Sequence, residues 1–140
     1  MKAFYTAVAT AFPVYLAKFG KSVDGNLGAG GVNADMPAMK AYYAAHKKVT
    51  GKDADYWASP VMYATLQVLE QAIEAVGTDR KAVTDYVKKA TFKTIMGDWR
   101  FVNQSIHDFW TVGQWQNGVF YGVASTGLAG AKPVIAKTGW

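Results

Sequence analysis

The dipeptide Asn117-Gly118 is the feature that most narrows the folds available to this chain. It lies between two runs rich in aromatic and β-branched residues, 109–115 and 119–123. Asn and Gly both tolerate the positive φ angles of a type I′ turn, so this pair between two such runs is a strong signal for a β-hairpin. The sequence therefore predicts an antiparallel hairpin here, preceded by a further β segment over 94–101.

The middle of the chain has helical periodicity instead. Ser59 is a suitable N-cap and Pro60 suits the first helical position, which predicts a long helix that starts at about Ser59. Its apolar residues recur at steps of four and three, namely Met62, Leu66, Leu69, Ile73 and Val76. Gly77 is expected to end it, and Thr78 to cap the next helix.

Shorter elements are predicted on the N-terminal side. They are a strand over 2–6, a loop over 7–11, a helix from Pro13 to a stop at Gly20, a strand over 27–32 and a helix over 37–49.

Composition argues against a nucleic-acid partner. The net charge is +5, but the lysines are scattered along the chain rather than concentrated with stacking aromatic residues. There is no cysteine, so thiol nucleophiles and zinc-thiolate sites are excluded, and His46 and His107 are the only imidazoles. We expect no metal and no cofactor.

Recognisable catalytic motifs are also missing. Gly28 and Gly30 begin a dinucleotide-binding pattern, but Asn33 stands where that pattern requires its third glycine. His46 lies within an amphipathic helical pattern, where an exposed or hydrogen-bonded histidine is more common than a catalytic one. Asp53 and Asp55 are interpreted as turn or capping residues. The sequence therefore indicates a protein that is not an enzyme.

The N-terminal stretch 3–17 imitates a signal peptide, with Ala7-Val8-Ala9 as its apparent cleavage site. That site comes before an adequate hydrophobic core, so a strand and a helix are favoured. Any export signal is then expected upstream of Met1. No run approaches the ~20 apolar residues of a membrane-spanning helix.

Several short motifs occur in an order and spacing that resemble a known family: Tyr63-Ala64-Thr65-Leu66-Gln67, Thr94-Ile95-Met96-Gly97, Gly113-Gln114-Trp115 and Asn117-Gly118. Over nearly all 140 residues the chain resembles the C-terminal part of the branched-chain amino-acid-type solute-binding proteins of ABC transporters. The resemblance implies a portion of a two-lobed α/β fold, the type I periplasmic-binding-protein fold, with most of the first lobe lacking. Residues 1–31 and 107–140 would belong to the second lobe and 32–106 to the first, with crossovers near Gly31 and His107.

The resemblance also implies a ligand cleft formed by two stretches. The first is the loop Thr6, Ala7, Val8, Ala9 and Thr10, and the second is Tyr56, Trp57, Ala58 and Ser59. Because Tyr56 and Trp57 directly precede a helix, their rings and free backbone N–H groups are candidates for joint contact with a ligand. Amino-acid receptors of this kind commonly carry an acidic residue where this chain has Val8.

The implied function is non-catalytic binding of a small organic solute in the periplasm or another extracytoplasmic space, for delivery to an ABC permease. The solute would be amino-acid-like, or a carboxylate or amide without a free ammonium group. The alternative is a ligand-sensing domain of a receptor or regulator with the same fold. The long helix would expose an apolar stripe that normally packs on the missing sheet, so this chain is expected to associate, with a dimer as one possibility.

Overall fold

The structure is a computed structural model that describes residues 3–139 as two β-sheets and four α-helices. The strands are β1 (Phe4–Thr6), β2 (Asn26–Ala29), β3 (Thr91–Thr94), β4 (Gly97–Val102), β5 (Ser105–Ile106), β6 (Phe109–Gln116) and β7 (Val119–Thr126). The helices are α1 (Pro13–Phe19), α2 (Pro37–Thr50), α3 (Ala58–Val76) and α4 (Arg80–Val87), with 3-10 turns at Val8–Ala11 and Gly20–Val23. The α/β class predicted from the sequence is confirmed.

Strands from both ends of the chain form the larger sheet, in the order β1-β2-β6-β7. β1 and β2 are parallel, whereas β2–β6 and β6–β7 are antiparallel. The predicted hairpin joins β6 to β7, with φ angles of 52° at Asn117 and 80° at Gly118. Gln116 pairs with Val119 across the turn, so the type I′ prediction is confirmed.

The smaller sheet has the order β3-β4-β5. The segment predicted as one β run over 94–101 is in fact divided, because Thr94 pairs with Gly97 across a tight turn between β3 and β4. A second two-residue turn joins β4 to β5 and places Asn103 and Gln104 at φ angles of 49° and 65°. Two hairpins thus follow each other within this short stretch.

Three predicted boundaries were wrong. The loop over 7–11 is largely a 3-10 turn, and the strand over 27–32 ends at Ala29 because Gly30 and Gly31 take φ angles near 90°. The strand predicted from Lys2 begins at Phe4 among the described residues, and Lys2 lies outside them.

The predicted caps of the two later helices were also wrong. α3 begins at Ala58 with Trp57 in the capping position, two residues before the Pro60 that was expected to start it. α4 is capped by Asp79 rather than Thr78, and the Asp79 carboxylate accepts a hydrogen bond of 2.8 Å from the backbone N–H of Ala82. A carboxylate at a helix N-terminus is stabilised by both the hydrogen bond and the helix dipole. A neutral hydroxyl is stabilised by the hydrogen bond alone.

Helix α3 buries its small residues and exposes its large ones. Ala64, Val68 and Ala72 are buried, and this face lies on β3 and α4. The opposite face carries the predicted apolar stripe, of which Met62, Leu66, Leu69 and Ile73 are 36–63% exposed. The expectation of an uncovered stripe is therefore confirmed.

Two hydrophobic clusters stabilise the chain. The larger cluster lies among α2, α3 and the small sheet and includes Met39, Val68, Phe92 and Trp99. The smaller cluster consists of Ala11, Val23, Trp115 and Phe120, all fully buried. None of the helices within residues 3–139 is long and apolar enough to cross a bilayer.

Candidate functional site

The two stretches predicted to form the site are adjacent in the structure. The backbone N–H of Tyr56 donates a hydrogen bond of 3.0 Å to the carbonyl of Ala11, directly after the first loop. Tyr56 and Trp57 also pack against the small cluster that contains Ala11 and Trp115. Long-range packing therefore brings the N-terminal loop and the start of α3 together.

The first loop is anchored at its two threonines. The hydroxyl groups of Thr6 and Thr10 hydrogen-bond to each other, and Thr10 is 2% exposed. The indole N–H of Trp115 donates to the Thr10 carbonyl at 2.7 Å. Thr10 is therefore turned into the protein, and the accessible part of the loop is apolar, with Ala7 and Ala9 exposed and Val8 half-buried.

The backbone N–H groups at the start of α3 are not free. The Asp55 carboxylate accepts hydrogen bonds from Trp57 at 2.8 Å, from Ala58, and from Ser59 at 3.1 Å and 3.2 Å. The following residue, Pro60, has no N–H to offer. The suggestion that these donors meet a ligand directly is therefore corrected, whereas the capping role proposed for Asp55 is confirmed.

The rings of the second stretch are packed on one side and partly accessible on the other. A Cβ atom on Gly30 would lie 2.1 Å from Cδ1 of Trp57, so the indole ring rests directly on this glycine. Tyr56 meets Trp115 edge-on, with ring centroids 5.6 Å apart, and lies 5.4 Å from the ring of Tyr43. Trp57 remains half-buried, which leaves part of its ring as binding surface.

Tyr43 and Tyr56 are neutral hydrogen-bonding groups. Burial raises the pKa of both hydroxyl groups, most strongly for Tyr43. Within residues 3–139 the Tyr43 hydroxyl has no hydrogen-bond partner. Sequence reasoning missed Tyr43, Trp115 and Gly30 as supports of the site, because no short-range pattern links them to Tyr56 or Trp57.

A cavity of about 340 Å³ adjoins the site between the start of α1 and the loop before α3. Ser59 lines it, together with Phe12, Pro13, His46 and Asp53. His46 Nδ1 lies 3.1 Å from the Lys52 carbonyl, which fits the prediction of a hydrogen-bonded histidine. The described residues include no group of three or more potential metal ligands. Apolar and aromatic surface with fixed backbone groups suits binding of a small solute.

Removing the Asp55 cap is expected to loosen this site. Asp55→Ala should lower the free energy of unfolding by about 1–2 kcal/mol, because the N–H groups at the start of α3 lose their acceptor. Urea denaturation followed by circular dichroism measures the change. Asp53→Ala is the matched control, since within residues 3–139 Asp53 forms only an exposed ion pair with Lys47. This substitution should cost about 0.5 kcal/mol or less. Equal effects of the two substitutions would contradict the capping role.

No protein-family model and no curated protein matches this chain, but solved structures do. A leucine-, isoleucine-, valine-, threonine- and alanine-binding protein from Brucella ovis, in a closed conformation, superposes with a TM-score of 0.69 and 22% identity over 95% of this chain. A leucine-binding protein from Thermotoga maritima superposes with a TM-score of 0.63 and 21% identity over 87% of this chain. An ABC transporter solute-binding protein from R. palustris, in complex with benzoate, superposes with a TM-score of 0.63 and 18% identity over 85% of this chain.

The matched region is only part of each of these proteins. The chain spans 39% of the Brucella protein, 36% of the Thermotoga protein and 34% of the R. palustris protein. At such identities the likeness concerns the backbone fold, and it agrees with the α/β element order described above. The chain therefore has the fold of a portion of the two-lobed type I periplasmic binding proteins, the fold of the leucine-binding and other solute-binding proteins of ABC transporters.

Proposed function

We propose that this chain is part of a non-catalytic receptor that holds a small organic solute outside the cytoplasm and delivers it to an ABC permease. The observation that carries the proposal is the hydrogen bond from Tyr56 to Ala11, which places the stretch 56–59 next to the end of the loop 6–10, within a fold shared with such receptors. The loop 6–10 presents apolar surface, and the stretch 56–59 presents aromatic surface beside a cavity that Ser59 lines.

The lobe assignment is part of the same proposal. Segments 1–31 and 107–140 would belong to the second lobe, and 32–106 to the first. The larger sheet supports this division, because it takes strands only from 4–29 and 109–126. All of α2, α3, α4 and the smaller sheet fall between them. The cleft would then lie where the two groups of elements meet.

The proposed ligand has an apolar body and no free ammonium group. Val8 offers no charge to an ammonium, and the carboxylate of Asp55, the acidic residue adjoining Tyr56, is already engaged by three backbone N–H groups. An ammonium group enclosed without an anionic partner loses hydration at a cost of several kcal/mol. The R. palustris protein, which was solved with benzoate, shows that this fold accommodates such an acid.

A thermal-shift screen of the longest natural form of the protein tests the ligand class. Benzoate, isobutyrate and benzamide should raise the melting temperature. At a concentration 100-fold above its Kd, such a ligand stabilises the folded protein by about 2.7 kcal/mol. Leucine, isoleucine and valine should raise it little. Saturable stabilisation by the amino acids alone would refute the ligand class.

A substitution at Val8 adds a second arm to the screen. Val8→Glu should weaken the binding of benzoate and isobutyrate, because the new carboxylate repels their carboxylate groups. It should also increase the stabilisation by leucine, because the new carboxylate faces the ammonium group of that ligand. Val134→Glu is the control, since Val134 is 61% exposed in the C-terminal tail. Unchanged acid binding in Val8→Glu would show that Val8 does not contact the ligand.

A further inference from the structure

The segment after β7, residues 127–132, lies against both connections between the larger sheet and the α2–β5 part of the chain. One connection runs from β2 to α2, and the other from β5 to β6. A Cβ atom on Gly130 would overlap the amide of Asn33 in the first connection. A Cβ atom on Gly127 would overlap the carboxylate of Asp108 in the second. The segment therefore contacts each connection at a glycine.

Lys132, at the end of this segment, is fixed to the larger sheet. Its backbone N–H donates a hydrogen bond of 2.9 Å to the carbonyl of Gly122 in β7. Its ammonium group lies 4.9 Å from the ring centroid of Tyr121, in a cation–π contact. Three residues further on, the side-chain amide of Gln114 exchanges two hydrogen bonds, of 2.8 Å and 2.9 Å, with the backbone of Ile135. Lys132 is thus expected to move with the larger sheet.

Asp35 lies on the α2 side of the first connection. Val32 still forms a bridge to Tyr121 of β7, whereas Asp35 follows it and directly precedes the turn into α2. One oxygen of the Asp35 carboxylate lies 3.5 Å from the ammonium group of Lys40 in α2, and the other lies 2.6 Å from that of Lys132. The pair with Lys40 is therefore local to the α2 side, whereas the pair with Lys132 joins that side to the larger sheet.

Lys132 is the stronger of the two partners. Its hydrogen bond is the main reason why the pKa of the Asp35 carboxyl lies below its usual range, ahead of the charge of Lys40. The carboxylate is accordingly charged at neutral pH, and the contact across the connection is a full ion pair.

We propose that the segment 127–132 is a clasp that stabilises the closed cleft, with the ion pair between Asp35 and Lys132 as its closing contact. This inference rests on the proposed function, because it takes the two groups of elements to be parts of two lobes that move relative to each other. The ion pair coexists with the hydrogen bond from Tyr56 to Ala11, which joins the same two groups at the cleft. A rotation that separates Tyr56 from Ala11 also moves Asp35 away from its position beside Lys132. The ion pair therefore favours the closed arrangement.

The exposure of the ion pair sets the size of the expected effect. The side chains of Asp35 and Lys132 are 42% and 39% exposed. Pairs that water reaches in this way change an equilibrium constant by about twofold to fivefold. The apparent dissociation constant of a ligand that binds only the closed arrangement rises as the population of that arrangement falls. Loss of the pair should therefore raise this constant by about twofold to fivefold in a protein that is mostly open without ligand.

Two lysine substitutions provide a matched test, because both lysines contact the same carboxylate. Lys132→Met removes the ion pair between the two groups, and Lys40→Met removes the pair within one of them. Spin labels at Lys18→Cys on α1 and Lys48→Cys on α2, both exposed positions, report the separation of the groups without any ligand. The distances are measured by double electron–electron resonance in the longest natural form of the protein, with any cysteine outside this chain replaced by serine.

The label distances should respond to only one of the two lysines. Because α1 and α2 both border the cavity beside the site, Lys132→Met should shift the distribution toward longer distances. Lys40→Met should leave it unchanged, and so should Lys132→Arg, which keeps the charge. Raising NaCl from about 50 mM to about 500 mM should lengthen the distances in the unsubstituted protein and have little effect in Lys132→Met.

Benzoate titrations by calorimetry separate this inference from the proposed function. The dissociation constant for benzoate should rise by about twofold to fivefold in Lys132→Met and stay unchanged in Lys40→Met. Distances that shift as expected in a protein that does not bind benzoate would support the clasp and count against the proposed ligand class alone. Benzoate binding with distances that are unchanged in Lys132→Met, or that change equally in Lys40→Met, would overturn the clasp and leave the proposed function standing.

Discussion

Replacing Gly31 with alanine is expected to destabilise the protein by about 3 kcal/mol or more. Gly31 has a φ angle of 91°, and an added Cβ would lie 2.9 Å from Cα of Gly113 and 3.0 Å from Cα of Gly122. These contacts are with backbone atoms of β6 and β7, which have no rotamer to change. The clash would therefore separate the segment after β2 from the larger sheet, where Val32 accepts a hydrogen bond of 2.8 Å from Gly122.

Gly51→Ala provides the matched control for this prediction. Gly51 also has a positive φ angle, 71°, but an added Cβ there would meet no atom of the described residues within 4 Å. Its substitution should cost about 1 kcal/mol, the conformational penalty alone. Urea denaturation of both variants isolates the cost of the contact. Equal losses in the free energy of unfolding would show that Gly31 does not approach the sheet as closely as described.

Truncating Trp115 to alanine is expected to cost about 3–5 kcal/mol. The ring is fully buried between Phe120 and Tyr56, with centroids 5.5 Å and 5.6 Å away. Its indole N–H also donates to the Thr10 carbonyl, so the substitution removes packing and a hydrogen bond together. Because this residue joins the β6–β7 hairpin to the first loop of the candidate site, the loss should reach both.

Trp115→Phe separates the two contributions. The smaller ring keeps most of the packing but leaves the Thr10 carbonyl without its donor, at a cost of about 1–3 kcal/mol. Hydrogen exchange should then accelerate at the amides of Thr10 and Phe12, which close the 3-10 turn, more than at those of α3. If Trp115→Ala costs less than about 1 kcal/mol, the central place given to this ring is incorrect.

The candidate site shows where prediction from sequence was limited. The resemblance pointed to the stretches 6–10 and 56–59, and the structure brings them together through Tyr56 and Ala11. The capping of α3 was attributed to Ser59, because local rules favour a hydroxyl before Pro60. The backbone instead places the Asp55 carboxylate over three N–H groups, and this depends on the path of the whole preceding loop.

The exposed face of α3 is a second case. The period of the apolar residues correctly predicted a helix, but the same pattern suits either burial against a sheet or exposure. The structure buries Ala64 and Ala72, because close approach to β3 requires small side chains and leaves the large ones outside. Which face of a helix is covered depends on neighbouring elements, and no local rule contains them.

The sequence by itself determined features that depend on a few adjacent residues. These include the Asn117-Gly118 turn and the glycine ends of α1, α2 and α3, where the preferred φ angle of the residue decides the outcome. Only the tertiary structure decided the pairing of β2 with β6, the seat of Trp57 on Gly30 and the groove between α2 and α3. Such contacts join residues far apart in the chain, and their energy comes from packing and backbone pairing that exist only once the elements have assembled.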